Sequence, residues 1–380
     1  MIIKNAQIVL KDRVINGYVT INDDKITEIQ EGKYLGNDEA YDAKNNILMP
    51  GFIDIHIHGC KGIDFMDAKE EDYTTIANAL YTEGVTTFLA TTLTSDKDSL
   101  ARVCKTVANV KDSVPALGGI HFEGPYISAK YKGAQNEAFI RDPNFYEFKE
   151  LYDISNSNVR YISMAPEKDG ALEFIQNATA LGVTVSAGHT DATFKEVKAA
   201  IKCGLTNTTH THNAMSGHHH RKPGVLSAAF YYDQLYTEFI CDGIHVCPDA
   251  LKMSYKIIGP ERFVIITDAL KGKHSELDEF DLFGLPCVKS NGAAYLKPLE
   301  KGTLAGSLLT MDKGVRNIYE YCKASLVDLA KISSRNAARS LHFYDRGEIK
   351  VGYLADFVLL DNSLNVKATF KLGKKVYEND

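Results

Sequence analysis

Eight apolar runs, separated by longer helix-compatible stretches, constrain the fold of this chain more than any other feature. Strands that alternate with helices form parallel sheets. Eight such units within about 250 residues have the size of a (β/α)8 barrel. We therefore predict an α/β fold built on a (β/α)8 TIM barrel. The runs are Phe52–His58, Val85–Thr91, Leu117–Glu123, Val159–Pro166, Val183–His189, Leu205–His212, Glu238–Asp242 and Phe263–Asp268.

The two ends of the chain have a different pattern. Both contain short alternating runs between polar turns, which is typical of antiparallel strands. We predict that residues 1–48 and 346–380 pair into one small β-sandwich domain, and that residues 49–345 form the barrel. The C-terminal strands are expected at Gly347–Ile349, Asp356–Leu360, Val366–Phe370 and Lys374–Tyr377.

Composition excludes several classes of function. The chain has 380 residues and a formal net charge of −6, so it lacks the basic surface that nucleic acids attract. No apolar run approaches the roughly 20 residues that a membrane span needs. The seven cysteines contain no Cys-x-x-Cys pair, which argues against a disulfide framework or a zinc ribbon. We expect a cytoplasmic protein with no nucleic-acid or membrane partner.

Two histidines lie two residues apart at the end of the first run. Alternate side chains of a strand point to the same face, so His56 and His58 share a face. Two neighbouring imidazoles supply half of a four-ligand metal site. The alternative is a pair of unrelated core histidines, and the ends of the other runs argue against it.

Polar residues also end most of the remaining runs. Barrel enzymes carry their active sites at the C-terminal ends of the strands. Carboxylates and imidazoles are costly in a core unless they are paired or bound to metal. We therefore predict a metal-dependent site there, with Asp268 suited to a general base. The residues that end these runs are Glu123, His189, His210, Asp242 and Asp268.

Spacing leaves some of these assignments open. His210 and His212 share a face, so either could be the ligand from the sixth run. We interpret His218–His220 as a solvated or substrate-rim segment, because the loop is polar and bounded by glycine and proline. Arg221 in that loop could bind a phosphate group or be ordinary surface charge.

Together these motifs resemble the amidohydrolase superfamily. Its pattern is His-x-His after the first barrel strand, an acid or modified lysine, two further histidines and an aspartate after the eighth strand. Within the superfamily, the chain resembles the deacetylases of N-acetylhexosamine 6-phosphates from Pro50 to Ser307. This closer resemblance rests on the segments His121–Pro125, Gly188–Ala192, His212–Met215, Asp242–His245 and Gly302–Ser307.

The resemblance implies a pair of divalent metals in each subunit. Glu123, His189 and His210 would bind one ion, and His56 and His58 would bind a second ion with Glu123 bridging the two. Imidazole and carboxylate ligands suit zinc, iron or a similar metal.

The resemblance also implies a catalytic base, substrate contacts and a dimer. Asp268 would be the base, and Arg221 would hold the phosphate across the interface of a homodimer. Some members have a histidine that polarises the substrate carbonyl where Gln135 stands, and glutamine can still donate a hydrogen bond. The implied substrate-binding residues are Gln135, Asn213, Ala214, Arg221, His245 and Leu304.

The implied reaction is hydrolysis of the acetamide of N-acetylglucosamine 6-phosphate, a small-molecule sugar phosphate, to glucosamine 6-phosphate and acetate. One alternative is a related amidohydrolase, such as a dihydroorotase-like enzyme or one that acts on N-acetylgalactosamine 6-phosphate. Another is a non-catalytic sugar-phosphate sensor, which the full ligand set and Asp268 argue against.

Overall fold

The computed structural model describes residues 1–298, 300 and 302–379, and it alternates between strands and helices as the sequence predicts. The strands of this part are, in chain order, β1 (Ile2–Val9), β2 (Val14–Asn22), β3 (Lys25–Glu31), β4 (Ala40–Asp42), β5 (Ile47–Pro50), β6 (Phe52–Ile57), β7 (Gly59–Cys60), β8 (Ile63–Asp64), β9 (Val85–Thr92), β10 (Leu117–Glu123), β11 (Val159–Met164), β12 (Thr184–Ala187), β13 (Asn207–Thr208), β14 (Tyr236–Ile240), β15 (Phe263–Ile266), β16 (Glu279–Leu282), β17 (Leu285–Ser290), β18 (Ala293–Leu296), β19 (Leu304–Ser307), β20 (Phe357–Leu360), β21 (Val366–Lys371) and β22 (Lys374–Glu378). The α-helices are α1 (Glu70–Tyr81), α2 (Lys97–Val110), α3 (Phe145–Ile154), α4 (Ala171–Ala180), α5 (Phe194–Lys202), α6 (Val225–Tyr231), α7 (Pro248–Ile258), α8 (Met311–Cys322), α9 (Leu326–Ala330) and α10 (Asn336–Ser340).

The eight apolar runs form one parallel sheet. Its strands are ordered β6, β9, β10, β11, β12, β13, β14 and β15, so neighbours in this sheet follow one another along the chain. A parallel bridge between Ile57 and Ala269 joins the two ends of the sheet, and Asp268 N donates to His56 O at 2.8 Å. The predicted (β/α)8 barrel is therefore confirmed.

Helix starts follow local capping signals. Thr193 and Glu196 form a capping box at the start of α5. The Asp96 side chain accepts a hydrogen bond from Ser99 N at 2.9 Å and so caps α2. These helices pack outside the strands and hold the C-terminal strand ends at one rim.

Several barrel strands are shorter than the runs that predicted them. β12 and β13 end before the histidines that follow them, because the backbone turns there. The φ angles are 47° at His189, 30° at His210 and 49° at Asp268. Left-handed backbone is unfavourable for residues with a Cβ and tends to occur at functional sites. His189, His210 and Asp268 therefore lie on tight turns above their strands, whereas Glu123 is the last residue of β10.

Strands from both termini form a second sheet, ordered β22, β21, β20, β5, β1, β2 and β3, with β4 on β1. The sheet curls onto itself, since Ala355 N donates to Asp24 O at 2.8 Å and joins the β2–β3 turn to the start of β20. It encloses its own apolar core, which includes Ile8 and Phe357. The β domain built from both termini is confirmed.

The details of the terminal sheet differ from the sequence prediction at one place. Among the described residues, 347–349 form no strand, and the C-terminal part of the sheet begins with β20. β5 belongs to this sheet and reaches Pro50. The boundaries 1–48 with 346–380, and 49–345, stay a prediction.

A four-stranded antiparallel sheet, β16–β19, lies between the last barrel strand and α8. Its last strand, β19, returns to the barrel, and a parallel bridge joins Ser307 to Ala269. This return places Leu304 beside the C-terminal ends of the barrel strands. Within the described ranges, no helix has both the length and the apolar character of a membrane span, and the seven cysteines are unpaired.

A buried ion pair fastens the segment after Asp268 to the helical layer. Lys273 Nζ lies 3.0 Å from Glu83 Oε1, and both side chains are about 1% exposed. Glu83 also accepts a hydrogen bond from Met311 N at 2.8 Å, at the start of α8. Burial alone would raise the pKa of Glu83, but the Lys273 ammonium holds it below its ordinary value.

We expect Lys273→Met to destabilise the fold by about 3–5 kcal/mol, because it removes the buried ammonium beside Glu83 and leaves His274 as the side-chain partner of that carboxylate. Urea unfolding measures this loss. The matched control is Lys149→Met, which removes an exposed pair with Asp153 and should cost less than about 1 kcal/mol. Equal losses in the two variants would contradict the structural role of the Lys273–Glu83 pair.

Candidate metal centre and active site

Side chains from several barrel strands converge at the C-terminal end of the barrel. They form two groups of potential ligands, and within each group the ligand atoms lie within 4.8 Å of one another. Every member is buried, so these side chains face one another and not the solvent. One group is His56, His58 and Asp268, and the other is Glu123, His189 and His210.

Glu123 stands between the two groups. Its Oε1 lies 3.2 Å from His56 Nε2 and 3.1 Å from the Nε2 atoms of both His189 and His210. Its Oε2 lies 3.3 Å from His58 Nε2. Burial alone would raise the pKa of Glu123, but the imidazoles of His56 and His189 hold it well below its ordinary value. The carboxylate is therefore ionised and in contact with four imidazoles.

The protonation of the second group points to a cation. His189 Nδ1 lies 2.9 Å from Tyr131 O, and His210 Nδ1 lies 3.2 Å from Asn213 O. Donation to these carbonyls places each ring proton on Nδ1 and leaves Nε2 as an acceptor. The two Nε2 atoms are nevertheless 3.1 Å apart, and both lie beside Glu123 Oε1. Acceptors so close together, with imidazole and carboxylate chemistry, fit a divalent cation.

The first group fits a cation for a related reason. Asp268 Oδ1 lies 3.5 Å from His56 Nε2 and 3.3 Å from His58 Nε2. Both nitrogens of His56 and Nδ1 of His58 are buried without a hydrogen-bond partner. Burial would lower the pKa of His58, but the carboxylates of Asp268 and Glu123, which can accept from its ring, raise it to about 9. Without a metal, the negative field of the two carboxylates therefore favours a proton where a cation would bind.

The open choice between two histidines is decided by the turn after β13. His210 joins the ligand group, whereas His212 Nε2 lies 2.8 Å from Ser254 Oγ on α7. The His218–His220 segment is exposed, and it supplies no member to either ligand group of the described residues.

A pocket opens beside the two ligand groups. Among the predicted substrate residues, Arg221 alone does not line it, and its loop is exposed. The Arg221 Nη1 atom lies 2.6 Å from Nε2 of the adjacent His220. The pocket lining includes Glu123, Asp268, Gln135, Asn213, Ala214, His245 and Leu304.

Polar atoms in the pocket retain unused hydrogen-bonding capacity. The Gln135 amide donates one hydrogen to Glu123 and accepts from Thr94 N at 2.7 Å, so its second N–H is available. His245 Nδ1 is held 2.6 Å from Asp242 Oδ2, and its Nε2 has no partner. Asn213 Nδ2 is also unpartnered. These groups can bind the oxygens of a polar ligand.

The sequence analysis missed one buried residue at the site. Glu238 lies inside β14 and is 0% exposed, with Oε2 3.5 Å from His56 Nδ1. It accepts a hydrogen bond from the Tyr161 hydroxyl. The sequence does contain a signal for Glu238, because it is a single acid within an apolar run. The cost of burying an unpaired carboxylate, which selected Asp268, applies equally to Glu238.

Comparison with known proteins identifies the family. The model of the amidohydrolase family matches residues 47–376. The chain belongs to the amidohydrolase family. Amidohydrolases are generally metal-dependent, in agreement with the two ligand groups.

One curated relative and two solved structures of high coverage carry the name N-acetylglucosamine-6-phosphate deacetylase. N-acetylglucosamine-6-phosphate deacetylase of Bacillus subtilis (strain 168) is 37% identical over 98% of this chain and 96% of its own length. The structure of that enzyme from Thermotoga maritima is 34% identical, with a TM-score of 0.91 and full coverage of both chains. A Mycobacterium smegmatis variant was solved in complex with N-acetyl-D-glucosamine-6-phosphate; it is 29% identical, with a TM-score of 0.93 and 99% coverage of both chains.

Proposed function

We propose that this amidohydrolase hydrolyses the acetamide of N-acetylglucosamine 6-phosphate and releases acetate and glucosamine 6-phosphate. The observation that carries the proposal is the pair of buried ligand groups around Glu123, beside a pocket with unpartnered polar atoms. The names of the Bacillus subtilis and Thermotoga maritima enzymes, and the ligand of the Mycobacterium smegmatis structure, support the same substrate.

We propose two divalent cations, zinc, iron or a similar metal, in each subunit. Glu123, His189 and His210 would hold one cation, and His56 and His58 the other, with Glu123 shared. When bound, such cations act as Lewis acids on a carbonyl and lower the pKa of water from 15.7 to about 7. The buried nitrogens without partners support this assignment.

The proposed chemistry of the chain is proton transfer and orientation. Asp268 accepts a proton from the water that attacks the acetamide carbon, and returns it to the nitrogen of the leaving amine. A C–O bond forms as the C–N bond breaks, and the acyl part leaves as acetate. The free N–H of Gln135 donates to the acetamide oxygen as negative charge develops there.

The sugar phosphate is held by the remaining pocket residues. His245 Nε2, fixed by the Asp242–Nδ1 contact, and the Asn213 amide would bind sugar and phosphate oxygens, while Ala214 and Leu304 line the wall. Arg221 would reach the phosphate of a neighbouring subunit, because it lies outside the pocket of its own chain. We therefore propose a homodimer, and a cytoplasmic location in keeping with the seven unpaired cysteines.

Acetate release tests the proposal directly. Purified protein reconstituted with zinc should release acetate from N-acetylglucosamine 6-phosphate faster than from N-acetylgalactosamine 6-phosphate. Elemental analysis of the same preparation should approach two metals per chain. Preference for the galactosamine epimer would overturn the assigned substrate, and tight binding without acetate release would favour the sensor alternative.

We expect Arg221→Ala to lower kcat/KM for the phosphorylated sugar by roughly 10- to 150-fold, since hydrogen bonds to charged groups contribute about 1.5–3 kcal/mol. The unphosphorylated sugar should be affected little. The control is Arg13→Ala, an exposed arginine of the terminal sheet that pairs with Asp12. An equal effect of Arg221→Ala on both sugars would make Arg221 ordinary surface charge.

A further inference from the structure

We propose that Glu238 is a positioning residue that orients His56 toward the cation held by the His56–His58 pair. The inference rests on the proposed two-cation site and assigns the residue that supports one half of it. Glu238 lies within β14, and its carboxylate is buried.

The Glu238 carboxylate lies among three potential donors from neighbouring strands and turns. One carboxylate oxygen accepts the Tyr161 hydroxyl. The other, Oε2, lies 3.4 Å from His210 N and 3.5 Å from His56 Nδ1. Glu238, Tyr161 and His56 are each 0% exposed, so no bulk water competes with these contacts. A buried carboxylate is costly unless such donors surround it.

The position of Glu238 beside Nδ1 favours one tautomer of the neutral His56 ring. Attraction to the carboxylate favours the ring proton on Nδ1, since a carboxylate can only accept. Nε2 is then left with its lone pair toward Glu123 Oε1 at 3.2 Å and Asp268 Oδ1 at 3.5 Å. This is the orientation that a ligand nitrogen needs, and an outer carboxylate also raises its basicity.

The two cation sites differ in this support. His189 and His210 are oriented by the backbone carbonyls of Tyr131 and Asn213, which no side-chain substitution removes. The His56 ring has no backbone acceptor, and the Glu238 carboxylate, with Oε2 3.5 Å from Nδ1, is the acidic group beside that nitrogen. Glu238→Gln keeps an amide oxygen that can accept from His210 N, so this substitution should weaken the His56–His58 site selectively.

Calorimetric titration of the metal-free protein with zinc tests the inference. Loss of an outer partner usually lowers metal affinity 10- to 100-fold. Glu238→Gln should lower the zinc affinity of the site at the His56–His58 pair by this factor. The zinc affinity of the site at His189 and His210 should change by less than about threefold. The matched control is Glu167→Gln, since Glu167 binds Thr190 Oγ1 and Asp191 N and does not contact His56.

A double-mutant cycle separates positioning from a general structural effect. In the background His56→Asn/His58→Asn, Glu238→Gln should cause no further loss of zinc affinity. Glu238→Asp keeps the charge but shortens the side chain, and it should weaken the same equivalent; it decides the question if the glutamine variant does not fold.

Two results would overturn the inference and are distinguishable. In the first, wild-type protein binds two equivalents of zinc and both Glu238 variants bind zinc with unchanged affinities. This result would remove the positioning role of Glu238 and leave the proposed function intact. Wild-type protein that binds one equivalent even when metal is in excess would overturn the two-cation site, and the role of Glu238 with it.

Discussion

We expect Glu123→Gln to lose both cations and almost all turnover. The Glu123 carboxylate contacts four imidazoles, two from each ligand group, at 3.1–3.3 Å. An amide of the same shape carries no negative charge that could bind a cation or offset the desolvation of that cation. The fall in kcat should exceed the roughly 10²–10⁴-fold that general acid–base catalysis contributes, because the cations and their chemistry are lost together.

Metal analysis checks this expectation beside activity. Glu123→Gln should retain close to zero equivalents after dialysis, whereas His56→Asn/His58→Asn should retain one of two. The control is Glu150→Gln, an exposed glutamate of α3 that pairs with Lys97. Full metal content in Glu123→Gln would show that Glu123 does not bridge the two groups.

The barrel could be predicted because two signals in the sequence coincide. Alternating apolar runs and helical segments specify a parallel sheet, and polar residues at the ends of the runs mark its C-terminal rim. Neither signal depends on details of packing. The second signal was strong enough to select Glu123, His189 and Asp268, although β12 and β15 end before His189 and Asp268.

Residues whose role depends on three-dimensional proximity could not be predicted in this way. The separation of His210 from His212 depends on a left-handed turn, with φ of 30° at His210, that periodicity does not reveal. Glu238 lies within a strand, and only the three-dimensional structure shows that its carboxylate is beside His56. Arg221 is exposed in the single chain, so its proposed role requires a second subunit.

The second large effect is expected for Asp268→Asn. Asp268 follows β15 on a left-handed turn, and its Oδ1 lies 3.3 Å from His58 Nε2 at the wall of the pocket. Burial would raise the pKa of Asp268, but the neighbouring imidazoles of His56 and His58 lower it, so the carboxylate is able to accept a proton. The amide of asparagine cannot do so.

We therefore expect kcat of Asp268→Asn to fall about 10²–10⁴-fold while the fold and most substrate binding remain. The exposed Asp249 of α7 supplies the control Asp249→Asn. Zinc content is measured in both variants, because Asp268 belongs to a ligand group. A variant with full metal and near wild-type kcat would remove Asp268 from the mechanism.

His121 could not replace Asp268 as the base, since both ring nitrogens of His121 are engaged, by Ile55 O at 2.9 Å and by Ser163 Oγ at 2.8 Å. The base would then be His245, whose Nε2 is unpartnered and whose ring lines the same pocket.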